Sequence, residues 1–309
     1  MHSFELYSEF IADKKLQGVS PKTLMHYNDT VNYFFTWCRS QRLNMEDVAT
    51  LPRFGKLWLT SCTERNLRPY TVHTYGRGLR TFFNWLLQQG HIEDPLQFIC
   101  PPAPNSHIIP LEQKHLKKVI QLFESDHSIR GMRNYCMLRL FCETGIRKRE
   151  MAGITLSDVD FDNCSIRIVG KGDKQRFCYF TDRTQIALKR YLQARSQRKT
   201  KHDRLWLSVG NQHNNKPFGT DGIRSLLQAI KRQINYKGKL SPHVLRHTFA
   251  IMYLENGGDA FSLQQALGHA HVSTTQNLRQ LQPHPPQTHH PALPAGCVTP
   301  VTYIPLVRS

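Results

Sequence analysis

The sequence is 309 residues long and lacks several things that would have narrowed its function. Its eight cysteines stand singly at 38, 62, 100, 136, 142, 164, 178 and 297, with no Cys-x-x-Cys pair. That spacing argues against a disulfide framework and against a zinc ribbon, and it fits a reducing compartment. No apolar run approaches the roughly 20 residues needed to span a bilayer. The opening Met1-His2-Ser3-Phe4-Glu5 lacks the basic-then-apolar layout of a signal peptide, so a soluble intracellular protein is expected. Acidic residues are scarce: 23 Asp and Glu face 41 Lys and Arg, for a net charge of +18. A chain this basic usually meets a polyanion, most commonly DNA; a basic proteome or an acidic membrane would leave the same imprint. No internal repeat is visible.

What is present divides into two periodic regions, enough chain for one large or two ordinary domains. The first hundred residues read as helical. Ser20-Pro21 is a helix start, because Ser caps free amides and Pro at the first helical position loses no bond. Leu24, Tyr27, Val31, Phe34 and Phe35 then fall on one face, and Val72, Tyr75, Leu79, Phe82, Phe83 and Leu86 form a second stripe that stops near Gly90. Shorter helices near 4–16 and 53–65 would complete a four-helix bundle. The aromatic stripes read as core; Lys22, Arg65, Arg68, Arg77 and Arg80 lie on outer faces, as DNA contacts or as ordinary solvated positions.

Residues 93–110 hold five prolines and read as a linker. Beyond it, helices are expected at 111–123, 132–141, 182–198, 221–234 and 242–255. Between them the period changes: Ser165-Ile166-Arg167-Ile168-Val169 alternates, and 176–180 can return as its partner across Gly170-Lys171-Gly172-Asp173-Lys174. The whole is mainly α with a small antiparallel β-sheet. From Gln282 the sequence is rich in Pro and His, a composition that cannot continue a helix and suggests a disordered tail at 282–309.

Three segments carry candidate chemistry: Thr144-Gly145-Ile146-Arg147, His243-Val244-Leu245-Arg246-His247 and Leu267-Gly268-His269-Ala270. Arg147 and Arg246 come from distant parts of the chain and could clamp one phosphate, since a guanidinium stays charged and donates paired hydrogen bonds. Taken singly, each is better read as a surface arginine. Ser241-Pro242 is another cap-and-proline start, which puts His243, Arg246 and His247 in the first turns of a helix, where free amides favour a phosphate. His243 and His247 have the spacing of a zinc-protease helix, but Val244 stands where that motif needs glutamate.

Together these segments resemble the tyrosine recombinase (phage integrase) family, whose members cut and rejoin DNA through a tyrosine–phosphate bond. The resemblance implies a helical, SAM-like core-binding domain over 1–92 and an integrase catalytic domain over 111–281. It implies catalytic roles for Arg147, Lys171, His243, Arg246 and His269, with Lys171 as general acid at the hairpin tip. Glu150 would hold Arg147, and His247 would pack or support. Lys174 and Arg176 would meet the DNA backbone, as would Lys22, Arg77 and Arg80. The implied partner is double-stranded DNA at a recombination site, engaged by a homotetramer without metal or nucleotide cofactor. The setting would be the cytoplasm, at the nucleoid, with no membrane. Integration or excision of mobile DNA is the usual role.

One position departs. The family's tyrosine falls nine residues after the third-segment histidine, and here that residue is Leu278, after His269-Ala270-His271-Val272-Ser273-Thr274-Thr275. Leucine has no nucleophilic atom. The helix expected next is also replaced by the Pro/His tail, and a reading-frame change near codon 277 would account for both. Tyr303 is the only tyrosine in the tail. Three readings therefore stand: a site-specific recombinase, a catalytically silent DNA-binding protein at recombination sites, and a metal-dependent nuclease built on the histidines.

Overall fold

The computed structural model describes residues 3–93, 100–103, 108–170, 175–210 and 215–268. The chain divides into two compact units, 1–107 and 108–309.

The first unit packs four helices: α1 (Ser3–Leu16), α2 (Pro21–Ser40), α3 (Leu51–Glu64) and α4 (Pro69–Gln88). Ser20 starts α2 as its sequence suggests, its hydroxyl accepting the Thr23 N–H at 3.2 Å. Both aromatic stripes are core. Phe34, Phe35, Phe82 and Phe83 are fully buried, and Phe10 stacks edge-on against Phe82 and Trp85. Two glycines let the helices close. A Cβ on Gly78 would sit 2.9 Å from Thr30 Cγ2, and one on Gly55 would sit 2.8 Å from Phe83. Cys100 and Pro101, inside the stretch expected to link, belong with this unit: the His73 ring donates to the Pro101 carbonyl at 2.7 Å.

The second unit surrounds α6 (Ile129–Thr144) with α5 (Gln113–Gln121), α7 (Lys148–Gly153), α8 (Asp182–Ser196), α9 (Thr220–Gln233), α10 (Pro242–Glu255) and α11 (Ala260–Leu267). Its sheet has the antiparallel order β1-β2-β3, formed by Val159–Asp160, Ser165–Val169 and Gln175–Tyr179. The register sets Ile166 opposite Cys178 and Ile168 opposite Arg176. Ile166, Ile168 and Cys178 turn into a core that includes Met137, Phe141, Leu188, Tyr191 and Trp206. The fold class read from the sequence is therefore the observed one. The two-residue β1 and the short α7 and α11 were not among the expected elements. Among the described residues no helix is long and apolar enough to cross a membrane.

Buried arginines brace this unit. Arg139 pairs with Glu143, whose carboxylate also accepts the Thr181 N–H at 3.0 Å and the Thr184 hydroxyl at 2.9 Å. Arg133 lies 3.7 Å over the Phe218 ring, and Arg195 donates to the carbonyls of His202, Arg204 and Leu205. Several of the chain's many cations are thus structural rather than free to meet an anion.

Candidate phosphate-binding site

The site assembles where several elements end or begin. Helix α6 terminates at Gly145, whose φ of +58° closes the helix in the left-handed region. A side chain there would collide: a Cβ would lie 2.5 Å from Phe249 and 2.8 Å from Leu267. The turn throws Arg147 to the cap of α7, and Glu150 reaches back to it. Glu150 Oε2 accepts the Arg147 backbone N–H at 2.8 Å, and Oε1 accepts Nη1 at 2.9 Å.

Arg176 from β3 completes the carboxylate's shell. Its Nη1 donates to Oε1 at 2.9 Å and its Nη2 to Oε2 at 2.7 Å. Burial would raise the Glu150 pKa, but the Arg176 and Arg147 bonds outweigh it and hold the carboxyl at about 2. Arg176, expected to touch the DNA backbone, turns inward instead, its side chain 13% exposed. The reason is local: β3 directs it to the face shared with Cys178, where a buried carboxylate awaits it.

Helix α11 organises the arginines further. Its last carbonyls have no intrahelical partner, and three guanidiniums take three in succession. Arg176 Nε donates to Ala266 O at 3.0 Å, Arg246 Nη2 to Leu267 O at 2.7 Å, and Arg147 Nη2 to Gly268 O at 2.8 Å. Arg246 also ties back to Gly145 O at 2.7 Å. Three positive charges thus surround one carboxylate. Arg246 feels the excess: burial lowers its pKa, and Arg147 and Arg176 lower it further, to about 9. An anion arriving here would relieve that repulsion. Arg147 is placed to meet one, with 42% of its side chain exposed.

Helix α10 brings the histidines. Ser241 caps it, accepting the Val244 N–H at 3.3 Å, with Pro242 in the first turn. His243 is exposed at that N-terminus. Its pKa is lowered by burial of part of the ring and then by Arg246, Lys239 and Arg147, so the ring shares one electrostatic neighbourhood with both arginines. His247 lies one turn deeper, its Nε2 buried without a partner among the described residues. Its pKa is lowered by burial and then by His243. Beside the arginines opens a cleft of about 1100 Å³, lined among others by Arg147, Arg149, Arg167, Arg176 and Arg204.

Of the residues singled out from the sequence, the structure gathers Arg147, Glu150, His243 and Arg246 at one place, with His247 adjoining. Lys22, Arg77 and Arg80 are exposed on the first unit. Lys171, Lys174, His269, Leu278 and Tyr303 lie outside the described residues, as does the tail. Sequence reasoning missed Lys239, which acts on His243, and the inward role of Arg176. It also missed α11, although Asp259 as cap, Leu263 and Leu267 four apart, and Gly268 as terminator are its signals.

An exposed Arg147 and a buried Arg246 beside a capped helix N-terminus, on a mainly helical scaffold with a small sheet, form the kind of cationic site whose chemistry suits an oxyanion. The particular family follows from comparison: residues 110–284 match the phage integrase family, and the chain belongs to it. Tyrosine recombinase XerC of Bacillus subtilis (strain 168) is 32% identical over 279 residues, covering 88% of this chain and 89% of that protein. Among solved structures, the XerA recombinase is similar at 26% identity and a TM-score of 0.51, over 91% of this chain and 95% of that one. The Tn1549 transposon integrase in complex with circular intermediate DNA shares the fold at 20% identity and a TM-score of 0.71, covering 90% and 95%. The chain is thus a XerC/XerD-like member of the tyrosine recombinases.

Proposed function

We propose that this protein binds a duplex DNA recombination site and grips one backbone phosphate between Arg147 and Arg246, the arrangement from which its family carries out strand exchange in integration or excision of mobile DNA. The observation that carries the reading is the arginine cluster, held on three successive carbonyls around a single carboxylate. Preorganised donors of this kind neutralise charge on the non-bridging oxygens, and loss of one typically costs on the order of 10²–10³ in rate. His243 adds a hydrogen bond at the helix N-terminus; His269 would add another, and Lys171 would protonate the leaving oxygen. Unit 1 would act as the core-binding domain, with Lys22, Arg77 and Arg80 on the DNA backbone beside Lys174 of the hairpin. Assembly as a homotetramer on DNA, at the nucleoid, belongs to the same proposal. The XerH recombinase bound to difH substrate and the lambda integrase dimer bound to a core site share this fold and support a DNA partner.

A second reading rests on one residue. Leu278 cannot form a covalent bond to DNA, so a chain with this sequence would occupy recombination sites without cutting them unless another tyrosine serves. Incubation with nicked suicide DNA bearing the attachment site separates the two. A denaturation-resistant adduct mapping to Tyr303 would mean an active recombinase with a displaced nucleophile. Retarded DNA without adduct would mean a silent binding protein, and resequencing that finds Tyr-Ala codons in an alternative frame at 278 would trace its origin.

A further inference from the structure

We propose that Arg176 is a positioning residue of the phosphate clamp, fixing Glu150, and through it Arg147, to the base of the β2–β3 hairpin. This rests on the reading of Arg147 and Arg246 as a clamp and extends it to a residue that touches no phosphate. Each of the three Arg176 guanidinium nitrogens already donates inside the fold: both Nη atoms to Glu150, at 2.9 and 2.7 Å, and Nε to Ala266 O at 3.0 Å. Its side chain is nearly buried, so DNA cannot reach it without breaking those bonds.

The geometry shows what the residue controls. From the described residues Glu150 receives four hydrogen bonds on two oxygens, two from Arg176 and two from Arg147. Because Arg176 occupies both oxygens side-on, Arg147 spends only Nη1 on the carboxylate and turns Nη2 to Gly268 O at 2.8 Å, a pose that leaves 42% of its side chain exposed. Without Arg176, the buried carboxylate would be left with a single guanidinium, and a side-on pair with Arg147 is the favoured geometry. Arg147 would then rotate onto Glu150, and its charge would be cancelled. Arg176 also stands opposite Ile168, which is anchored in the core, so the strand ladder fixes its backbone. Its Nε bond to Ala266 ties the same point to the end of α11, one and two residues before the carbonyls that hold Arg246 and Arg147. One side chain therefore links β3, α7 and α11, the three elements whose relative placement sets the clamp.

The test uses the full chain with inorganic phosphate as probe, followed through the Nε–Hε resonance of Arg147 in arginine-labelled protein. Arg176→Lys keeps the charge but cannot span two carboxylate oxygens and a carbonyl. It is expected to move the Arg147 resonance and weaken phosphate on the order of tenfold, the lower end of what loss of an orienting partner costs at metal sites. A folded Arg176→Lys with unchanged phosphate affinity and an unmoved Arg147 signal overturns the proposal. If that variant does not fold, the double variant Glu150→Gln with Arg176→Gln, a neutral amide pair that leaves no buried charge unpaired, decides: weakened phosphate supports the role, and unchanged affinity overturns it. Arg147→Ala and Arg246→Ala run alongside. Unchanged affinity in both removes the clamp itself, whereas loss there with retention in Arg176→Lys removes only the positioning role.

Discussion

Replacing Gly145 with alanine should damage both stability and the site, and the structure gives the size of each effect. The residue's φ of +58° is strained for any side chain, costing about 1–2 kcal/mol. The added Cβ would stand 2.5 Å from Phe249 Cδ1 and 2.8 Å from Leu267 Cδ2, both buried, so neither can simply swing into solvent. Overpacking of that kind typically costs about 1–3 kcal/mol. Together they give about 2–5 kcal/mol, or a Tm loss of roughly 4–20 °C for a unit of this size. Gly257→Ala is the control: its φ is +87°, but among the described residues nothing lies within 4 Å of the new carbon, so the backbone cost of about 1–2 kcal/mol is what remains. The clash also pushes on Leu267 and on the Gly145 carbonyl, both of which hold Arg246, so phosphate affinity should fall in Gly145→Ala and not in Gly257→Ala. Thermal melts of the two variants side by side measure the difference. Equal Tm values within about 1 °C would refute the packing argument.

Four further outcomes follow from the same contacts. Arg246→Lys should weaken phosphate and DNA binding, because one ammonium cannot reach both Gly145 O and Leu267 O as the fork does; a phosphate titration that matches the wild type would count against it. Glu150 has its folded pKa depressed to about 2, so its contribution, on the order of 3 kcal/mol, is full above the ordinary carboxyl range near pH 4.5 and is lost as pH falls toward 2. Denaturant melts across pH 2–6 should show that acid loss in the wild type and a flatter profile in Glu150→Gln. Replacing Lys22, Arg77 and Arg80 together by alanine should leave the Tm within about 1 °C and reduce the slope of log K against log salt by roughly 3, read by fluorescence anisotropy. Leu278→Tyr alone should restore little recombination, since the segment after it no longer has a helix-forming composition; efficient strand exchange by that variant would contradict this.

The sequence by itself determined a good deal, because the features involved are local. Ser20-Pro21 and Ser241-Pro242 start helices wherever they occur, and their hydroxyls cap amides within three residues. The 3.6-residue stripes through Phe34 and Phe82 specified the core of the first unit, and the alternation at 165–169 specified a strand. The motif order Arg147, Arg246, Leu267-Gly268 placed the chain in its family, and Glu150 three residues after Arg147 signalled its partner. Only the tertiary structure decided what each cation does. Arg133, Arg139, Arg195 and Arg176 look like any exposed arginine in one dimension, yet each is held inside the fold: Arg139 and Arg195 on nearby Glu143 and the 202–205 carbonyls, Arg133 and Arg176 on a ring and a carboxylate from far along the chain. The stacking of three guanidiniums on Ala266, Leu267 and Gly268 is likewise a property of packing. The carbonyls are free because a short helix ends there, and the arginines arrive from residues 21 to 121 positions away. Local sequence sets backbone caps and periodicity; which charge is spent inside the fold is settled by burial, and burial is known only once distant segments meet.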